Sequence, residues 1–253
     1  MDPARAQALQ ATLGLPITHQ SGDALPPFFH QIYFWAPEPA DRLGRDGHPK
    51  TGQGLIPDLG LPRRMWAGGR LQFHGPLHSG TPAEKISTLE AITRKEGRTG
   101  PLGFVTLRHD FVQNGVVRIT EWQDLVYRQD PDPSAPTPTP PQAPHDETFA
   151  EEHTFDSTLL FRYSALTFNG HRIHYDQPYA RSTEGYANLV THGPLLAQLL
   201  MLMAERQLER LKQFQFRGTA ALTLPHSARF CWKDGHMWVR GPQGQTHMTA
   251  TAQ

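Results

Sequence analysis

The chain has one cysteine, Cys231, among its 253 residues. A disulfide needs two thiols, so none can form within the chain, which is typical of proteins in a reducing compartment. We therefore expect a cytoplasmic protein. Zinc sites built from several cysteines are excluded too, and any bound metal would need histidine and carboxylate ligands.

Long apolar runs and an excess of one charge sign are also missing. No run of about 18 apolar residues occurs, which argues against a membrane span, and the opening stretch MDPARAQALQATLGLP lacks the apolar core of a secretory signal. Lysine plus arginine and aspartate plus glutamate each total 24, so no net positive field would attract a nucleic acid. We expect neither a membrane nor a nucleic acid as a partner.

Proline, by contrast, is abundant, and the 23 prolines are densest in DPDPSAPTPTPPQAPHDE at residues 130–147. Such a composition predicts an extended, semi-rigid linker. We therefore expect an N-terminal domain at 1–129, a linker at 130–152 and a C-terminal domain at 153–253. Each domain is long enough to bury a core of its own.

Both predicted domains combine one apolar helix with several extended segments. In the first, PPFFHQIYFWAP (26–37) predicts a short buried helix, and an Asn-Gly pair at 114–115 predicts a hairpin. In the second, HGPLLAQLLMLMAERQLERL (192–211) predicts a helix buried on nearly all sides. Strands are expected at 64–74, 84–97, 102–115, 116–128, 214–222, 227–235, 236–241 and 245–252. This order favours an α+β fold in which antiparallel sheets wrap the helices.

The loop LTFNGHRIHYD (166–176) concentrates polar side chains, and three interpretations are open. It could bind a metal, although the spacing matches no familiar metalloenzyme pattern. The candidate ligands are His171, His174, Asp176 and His192. It could be an ordinary polar turn. It could also perform acid/base chemistry, because free N–H groups at the predicted helix start, near residue 192, can stabilise a negative oxygen.

Residues 161–201, FRYSALTFNGHRIHYDQPYARSTEGYANLVTHGPLLAQLLM, resemble the active-site segment of the MaoC-like hot-dog-fold hydratases and dehydratases. In that family a His-x-Asp motif is followed by a Tyr-Ala pair and then by a His-Gly pair that opens the central helix. The matching positions here are His174 and Asp176, Tyr179 and Ala180, and His192 and Gly193. Both the residue types and the intervals agree.

Three segments of the N-terminal part, 61–77, 100–111 and 121–128, are similar to the first half of a narrower subgroup. That subgroup has two fused hot-dog units and includes hydratases of mesaconyl-CoA or itaconyl-CoA, with mitochondrial thioester dehydratases as relatives. The resemblance therefore implies a double hot-dog fold. The C-terminal unit would be catalytic, and the N-terminal unit would form part of the substrate tunnel.

The activity implied by the resemblance is reversible addition of water to the double bond of an α,β-unsaturated CoA thioester of the itaconyl or mesaconyl, C5-dicarboxyl type. His174 would deprotonate the water, and the Gly193 N–H would polarise the thioester carbonyl. Asn169 stands where the wider family has a catalytic aspartate, and its amide would hold the water. CoA is part of the substrate, so neither a separate cofactor nor a metal is expected.

A free carboxylate on the acyl group would need a cation to bind it. Arginine is suited to this task, since its guanidinium donates two parallel hydrogen bonds to a carboxylate. Three arginines, Arg63, Arg64 and Arg70, lie in PRRMWAGGR. We choose Arg70 first, because it stands between a glycine pair and an alternating strand.

The remaining polar residues of the segment are also expected at the substrate site. His192 and His171 are expected to contact the substrate, and His171 could be a second acid/base group in place of the missing carboxylate. Asp176 is also placed at the substrate site, either to orient His174 or to cap the turn.

Other functions stay open at this point. One is an (R)-3-hydroxyacyl-thioester dehydratase of fatty acid metabolism. A second is a non-catalytic acyl-CoA-binding hot-dog protein, which the asparagine at 169 keeps open, and a third is a metal-dependent lyase. Two fused units already contain the usual dimer contact of the fold, and a further homodimer is compatible with this.

Overall fold

One antiparallel sheet dominates the computed structural model, which describes residues 1–97, 100–130 and 139–253. The strands are β1 (Arg63–Phe73), β2 (Glu84–Gly97), β3 (Gly100–Gln113), β4 (Val116–Arg128), β5 (Phe149–His153), β6 (Gln213–Gly218), β7 (Ala228–Lys233), β8 (His236–Arg240) and β9 (Thr246–Ala252). Within the described ranges these nine strands are ordered β2-β3-β4-β1-β6-β9-β8-β7-β5. The predicted strands are confirmed to within a few residues.

The predicted hairpin is confirmed at the β3–β4 connection. Asn114 and Gly115 both have positive φ, 53° and 73°, as a two-residue turn that follows the twist of its strands requires.

Strand β1 joins the two halves of the chain into one sheet. It pairs with β4 of its own half and with β6 of the second half, where Gly69 lies opposite Phe216. The two expected sheets are therefore edge-to-edge parts of one continuous sheet.

The helices are α1 (Pro3–Thr12), α2 (Ser157–Thr167), α3 (Gln177–Ser182) and α4 (Gly193–Gln207). Helix α4 is the central helix, and every residue from Pro194 to Ala204 is buried, which confirms the prediction of a helix apolar on nearly all sides. It ends at Gln207 rather than 211, because Leu208 is already extended. The sheet covers α4 with apolar side chains such as Leu71, Phe214 and Phe230.

The N-terminal half has no helix comparable to α4 in its described part. The segment predicted to be helical at 26–37 forms only a short 3-10 helix, Phe29–Ile32. Prolines flank this segment, and Phe28 has a φ of 69° outside the helical region, so a longer helix cannot propagate. The segment is nevertheless buried, and Gln198 on α4 binds the Pro27 carbonyl at 2.8 Å.

The predicted linker is shorter than expected. Residues 131–138 of the proline-rich stretch lie outside the described residues, and β5 begins at Phe149, inside the range expected to be linker. Before it, Ala143 is buried and its N–H binds the Gly244 carbonyl at 2.8 Å. The end of this segment packs against the sheet because it offers an apolar contact and backbone pairing partners.

In the described part of the chain, none of the helices combines the length and the apolar character that crossing a membrane demands.

Candidate active site

The histidine loop begins where α2 ends. Phe168 adopts a left-handed conformation with φ 54°, which stops the helix, and Asn169 Oδ1 accepts a hydrogen bond from the His171 N–H at 3.0 Å. Asn169 therefore shapes the turn with its oxygen. Its Nδ2 donates no hydrogen bond to any residue in the described ranges, and this nitrogen is the part of the amide that can bind a ligand.

His174 is oriented by one hydrogen bond. Its Nδ1 lies 2.7 Å from the Val190 carbonyl oxygen, which can only accept, so Nδ1 carries the proton and Nε2 carries the lone pair. Burial lowers the pKa of His174 to about 4, although the bond to Val190 opposes this. The imidazole is therefore neutral at pH 7 and able to act as a general base through Nε2.

His192 lies against His174. Its ring stacks on that of His174 with centroids 3.6 Å apart and planes 19° from parallel, and its Nε2 is 2.8 Å from the Ser164 hydroxyl. Burial lowers the pKa of His192 well below its ordinary value. Two stacked neutral imidazoles avoid the repulsion that two charged rings would suffer, so His192 holds His174 in place without charging the site.

Gly193 is the first residue of α4 and follows His192, its N-cap. The N–H groups of the first turn have no acceptor inside a helix and carry the positive end of its dipole. A Cβ built on Gly193 would lie 4.0 Å from the carbonyl oxygen of Trp66 on β1. The helix start, His174 and strand β1 therefore meet in one place, and the N–H groups there suit a developing negative oxygen.

Asp176 points away from His174. Its Oδ1 accepts the Tyr179 N–H at 3.0 Å as the N-cap of α3, and its Oδ2 lies 2.7 Å from Arg172 Nη2. The sequence left two roles open for Asp176, orienting His174 and capping the turn, and the structure shows the capping contact.

Arg70 is not brought to the histidine loop. Strand β1 has a bulge between Trp66 and Gly68, and one extra residue transfers every later side chain to the other face of the sheet. Arg70 therefore lies on the outer face, 4.4 Å above the Trp122 ring and 3.6 Å from Glu90. Without the bulge it would share a face with Arg64.

The loop at 44–48 supplies a cluster that the sequence did not reveal. Its His48 ring lies 4.7 Å from that of His171, and one ligand atom from each of Asp46, His48 and His171 falls within 4.8 Å of the others. The Asp46 carbonyl accepts the Arg172 N–H at 2.9 Å, which clamps the two loops together. The stretch GRDGH carries no spacing that ties it to residue 171, some 120 positions later.

Arg64 faces the same cluster. It lies opposite Tyr127 in the β1–β4 pairing, so both side chains project to the inner face. Its positive charge contributes to lowering the pKa values of His48 and His171, after burial, which lowers that of His171 to about 2. A cation beside these histidines disfavours a second cation, so the cluster suits a negatively charged ligand better than a metal.

Comparison with known proteins agrees with this geometry. Residues 28–224 match the family described as hydroxyacyl-thioester dehydratase type 2. The mesaconyl-C(4)-CoA hydratase of Chloroflexus aurantiacus is 43% identical, with 99% of this chain and 91% of that protein aligned. The mitochondrial hydroxyacyl-thioester dehydratase type 2 of Schizosaccharomyces pombe is 25% identical, over 91% of this chain and 87% of that protein.

Solved structures share the fold. A MaoC-like dehydratase from Phytophthora capsici superposes with a TM-score of 0.71 at 13% identity, covering 100% of this chain and 93% of that one. A Mycobacterium tuberculosis protein described as a double hotdog fold has a TM-score of 0.54 at 13% identity, covering 97% and 84%. The expected double hot-dog architecture is confirmed.

The fold is that of the hot-dog dehydratases, and the family match and the named hydratase relative show that the chain is a hydro-lyase of acyl thioesters. The family match and the 43% identical relative make the assignment specific. The chain belongs to the hydroxyacyl-thioester dehydratase type 2 family.

Because several of its histidines are buried, we expect the protein to have a lower free energy of unfolding in mild acid than at neutral pH. In the unfolded chain a histidine takes up a proton near its ordinary pKa, about 6.5, whereas His174 in the folded protein does so only at about 4. Between these values the unfolded state binds more protons, so the free energy of unfolding falls as the pH drops. We expect urea unfolding to give a value lower by about 2 kcal/mol or more at pH 5.0 than at pH 7.5.

A His171→Gln variant should lose part of this pH dependence, because its buried imidazole is gone. A variant of the exposed His236, His236→Gln, serves as the control and should behave like the parent chain. Equal free energies of unfolding at the two pH values would contradict the prediction.

Proposed function

We propose that the protein is a hydratase that adds water reversibly to the double bond of a C5-dicarboxyl CoA thioester of the mesaconyl-C4 type. The observation that carries this is the free Nε2 of neutral His174 beside the first N–H groups of α4. The substrate class is supported by the name of the 43% identical relative, mesaconyl-C(4)-CoA hydratase.

In the proposed reaction, the Gly193 N–H, which has no acceptor within its own helix, donates a hydrogen bond to the thioester carbonyl oxygen. His174 Nε2 takes a proton from water as the water oxygen bonds to the β-carbon. The alkene electrons move toward the carbonyl to give an enolate, and its α-carbon then takes a proton back. The reverse sequence releases water from the hydroxyacyl thioester.

Asn169 is proposed to hold the attacking water through its Nδ2. The Oδ1 of the same amide is already used in the turn, so the side chain is fixed and only its nitrogen can face a ligand. An amide can position water but cannot accept its proton, which leaves the base role to His174.

The reaction as proposed needs no separate cofactor and no metal, since the base, the oxyanion site and the CoA-bound substrate supply all the chemistry. Asp46, His48 and His171 have the donor types of a metal site, and full activity after exhaustive chelation would exclude a metal-dependent lyase.

We further propose that residues 1–129 and 153–253 act as two hot-dog units in one cytoplasmic enzyme. The second unit carries the base, and the first contributes to the tunnel through β1 and the 44–48 loop. The single cysteine supports the compartment. A homodimer of the fused chain is compatible with this arrangement.

A panel of CoA esters tests the proposed function. Purified protein should hydrate mesaconyl-C4-CoA or itaconyl-CoA faster than crotonyl-CoA, with the product identified by mass spectrometry. Turnover of crotonyl-CoA alone would overturn the dicarboxyl assignment and favour a hydroxyacyl-thioester dehydratase, the activity in the name of the Schizosaccharomyces pombe relative. Binding of the esters without any turnover would indicate a non-catalytic protein.

Replacing the base should abolish most of the rate. In a His174→Gln variant the side chain keeps a polar group of similar length but cannot take a proton, so kcat should fall by about 10²–10⁴. Substrate binding should change much less. The control is His236→Gln, on the exposed part of β8, and an unchanged kcat in the His174 variant would reject its role.

The proposed oxyanion donor is the backbone N–H of Gly193, and a substitution by proline removes it. Gly193→Pro deletes the N–H, and proline suits the first turn of a helix; the preceding His192 already has the extended φ −59° and ψ 129° that proline prefers before it. We expect kcat to fall about 10²–10³. Gly193→Ala keeps the N–H and has room for its Cβ, so it should retain far more activity. Equal losses in both variants would contradict the assignment.

A further inference from the structure

Arg64 has no partner in the described part of the chain, although it lies beside the histidine loop. It forms no ion pair and donates no hydrogen bond within residues 1–97, 100–130 and 139–253. Its neighbour Arg63 is the opposite case, because it is buried and its Nε lies 2.6 Å from the carboxylate of Glu184. A half-buried guanidinium whose five donors are unused by the described residues can accept an anion as its partner.

The position of Arg64 relative to the oxyanion site can be read along β1. The Trp66 carbonyl oxygen lies next to Gly193, and Arg64 stands two residues earlier on the same strand, before the bulge. At about 3.3 Å per residue, the two points are roughly 6.6 Å apart along the strand. The Arg64 side chain therefore starts close enough to reach the far end of a short acyl chain whose thioester carbonyl lies at Gly193.

Arg64 is the main cation beside the cluster of Asp46, His48 and His171. Burial and nearby positive charge lower the pKa values of His48 and His171, so both imidazoles are neutral at pH 7 and can still donate an N–H. Asp46 is the carboxylate of this cluster, and its Oδ1 is held by the His48 N–H at 3.0 Å. Asp46 forms no ion pair with Arg64 within the described residues, so the guanidinium stays available for a ligand.

We propose that Arg64 binds the free carboxylate of the acyl group and thereby selects dicarboxyl thioesters. This rests on the proposed function, since it names the residue that recognises its substrate class. With the carboxylate on Arg64 and the thioester carbonyl on the Gly193 N–H, the carbon chain lies between two fixed points. The β-carbon is then held near His174, where water must attack.

Another anion, a phosphate of CoA, could also pair with Arg64. The two ligands differ in a measurable way, because every CoA ester carries the same phosphates, whereas only a dicarboxyl ester carries the second carboxylate. A role in phosphate binding would weaken all esters equally.

Binding of saturated analogues separates these cases without depending on turnover. Isothermal titration calorimetry would compare methylsuccinyl-CoA, which keeps the carboxylate, with butyryl-CoA, which lacks it. We expect Arg64→Gln to weaken methylsuccinyl-CoA about 30-fold or more and butyryl-CoA by less than about threefold. Arg64→Lys keeps the charge but loses the two parallel hydrogen bonds. Its affinity for methylsuccinyl-CoA should therefore lie between that of Arg64→Gln and that of the parent chain.

The matched control is Arg70→Gln, an arginine on the same strand but on the outer face, which should bind both analogues like the parent chain. Equal weakening of both analogues by Arg64→Gln, or weakening of neither, would overturn the proposal. If Arg64→Gln does not fold, as judged by circular dichroism, Arg64→Lys decides the question in the same way. If the parent chain binds neither analogue, the proposed function itself fails. This outcome differs from failure of the Arg64 proposal alone, in which the parent chain binds the analogues but Arg64→Gln does not distinguish between them.

Discussion

The hydrogen bond from His174 Nδ1 to the Val190 carbonyl determines what this site can do. It fixes the tautomer, so the lone pair is on Nε2 and faces away from the backbone. The acceptor is itself held, because the Val190 N–H binds the Ile173 carbonyl at 2.9 Å and the next N–H, of Thr191, binds Leu222 at 2.8 Å. The His174 imidazole is therefore positioned by backbone that belongs to the fold.

Burial then sets the charge of the site. His174 stacks on His192 at the start of the central helix, and the apolar length of that helix makes it the centre of the core. His174 and His192 are both buried, and this burial keeps their imidazoles neutral and strengthens the hydrogen bonds that the nearby helix-start N–H groups can donate. The neutral charge of the site and the packing of the core thus rest on the same burial.

The N-terminal half borders the site although its described part has no helix as long as α4. Strand β1 passes the oxyanion site and carries Arg64, and the 44–48 loop is clamped on the histidine loop. Gly47 shows how close the two loops are, since its φ is 86° and a Cβ there would meet the Gly170 carbonyl at 2.0 Å. In the reaction we propose, one unit supplies the base and the other supplies the charge that binds the substrate.

The sequence by itself determined the features that depend on short spacing: the alternating strands, the Asn114–Gly115 hairpin, the apolar central helix, and the interval between His174 and the helix start. Only the tertiary structure decided the rest. A bulge of one residue placed Arg64 inside and Arg70 outside, and strand periodicity does not reveal where a bulge will form. The Asp46 loop reached the site through contacts distant in sequence. Local patterns record how a segment buries its own surface, whereas the meeting of two loops depends on how the whole sheet is assembled.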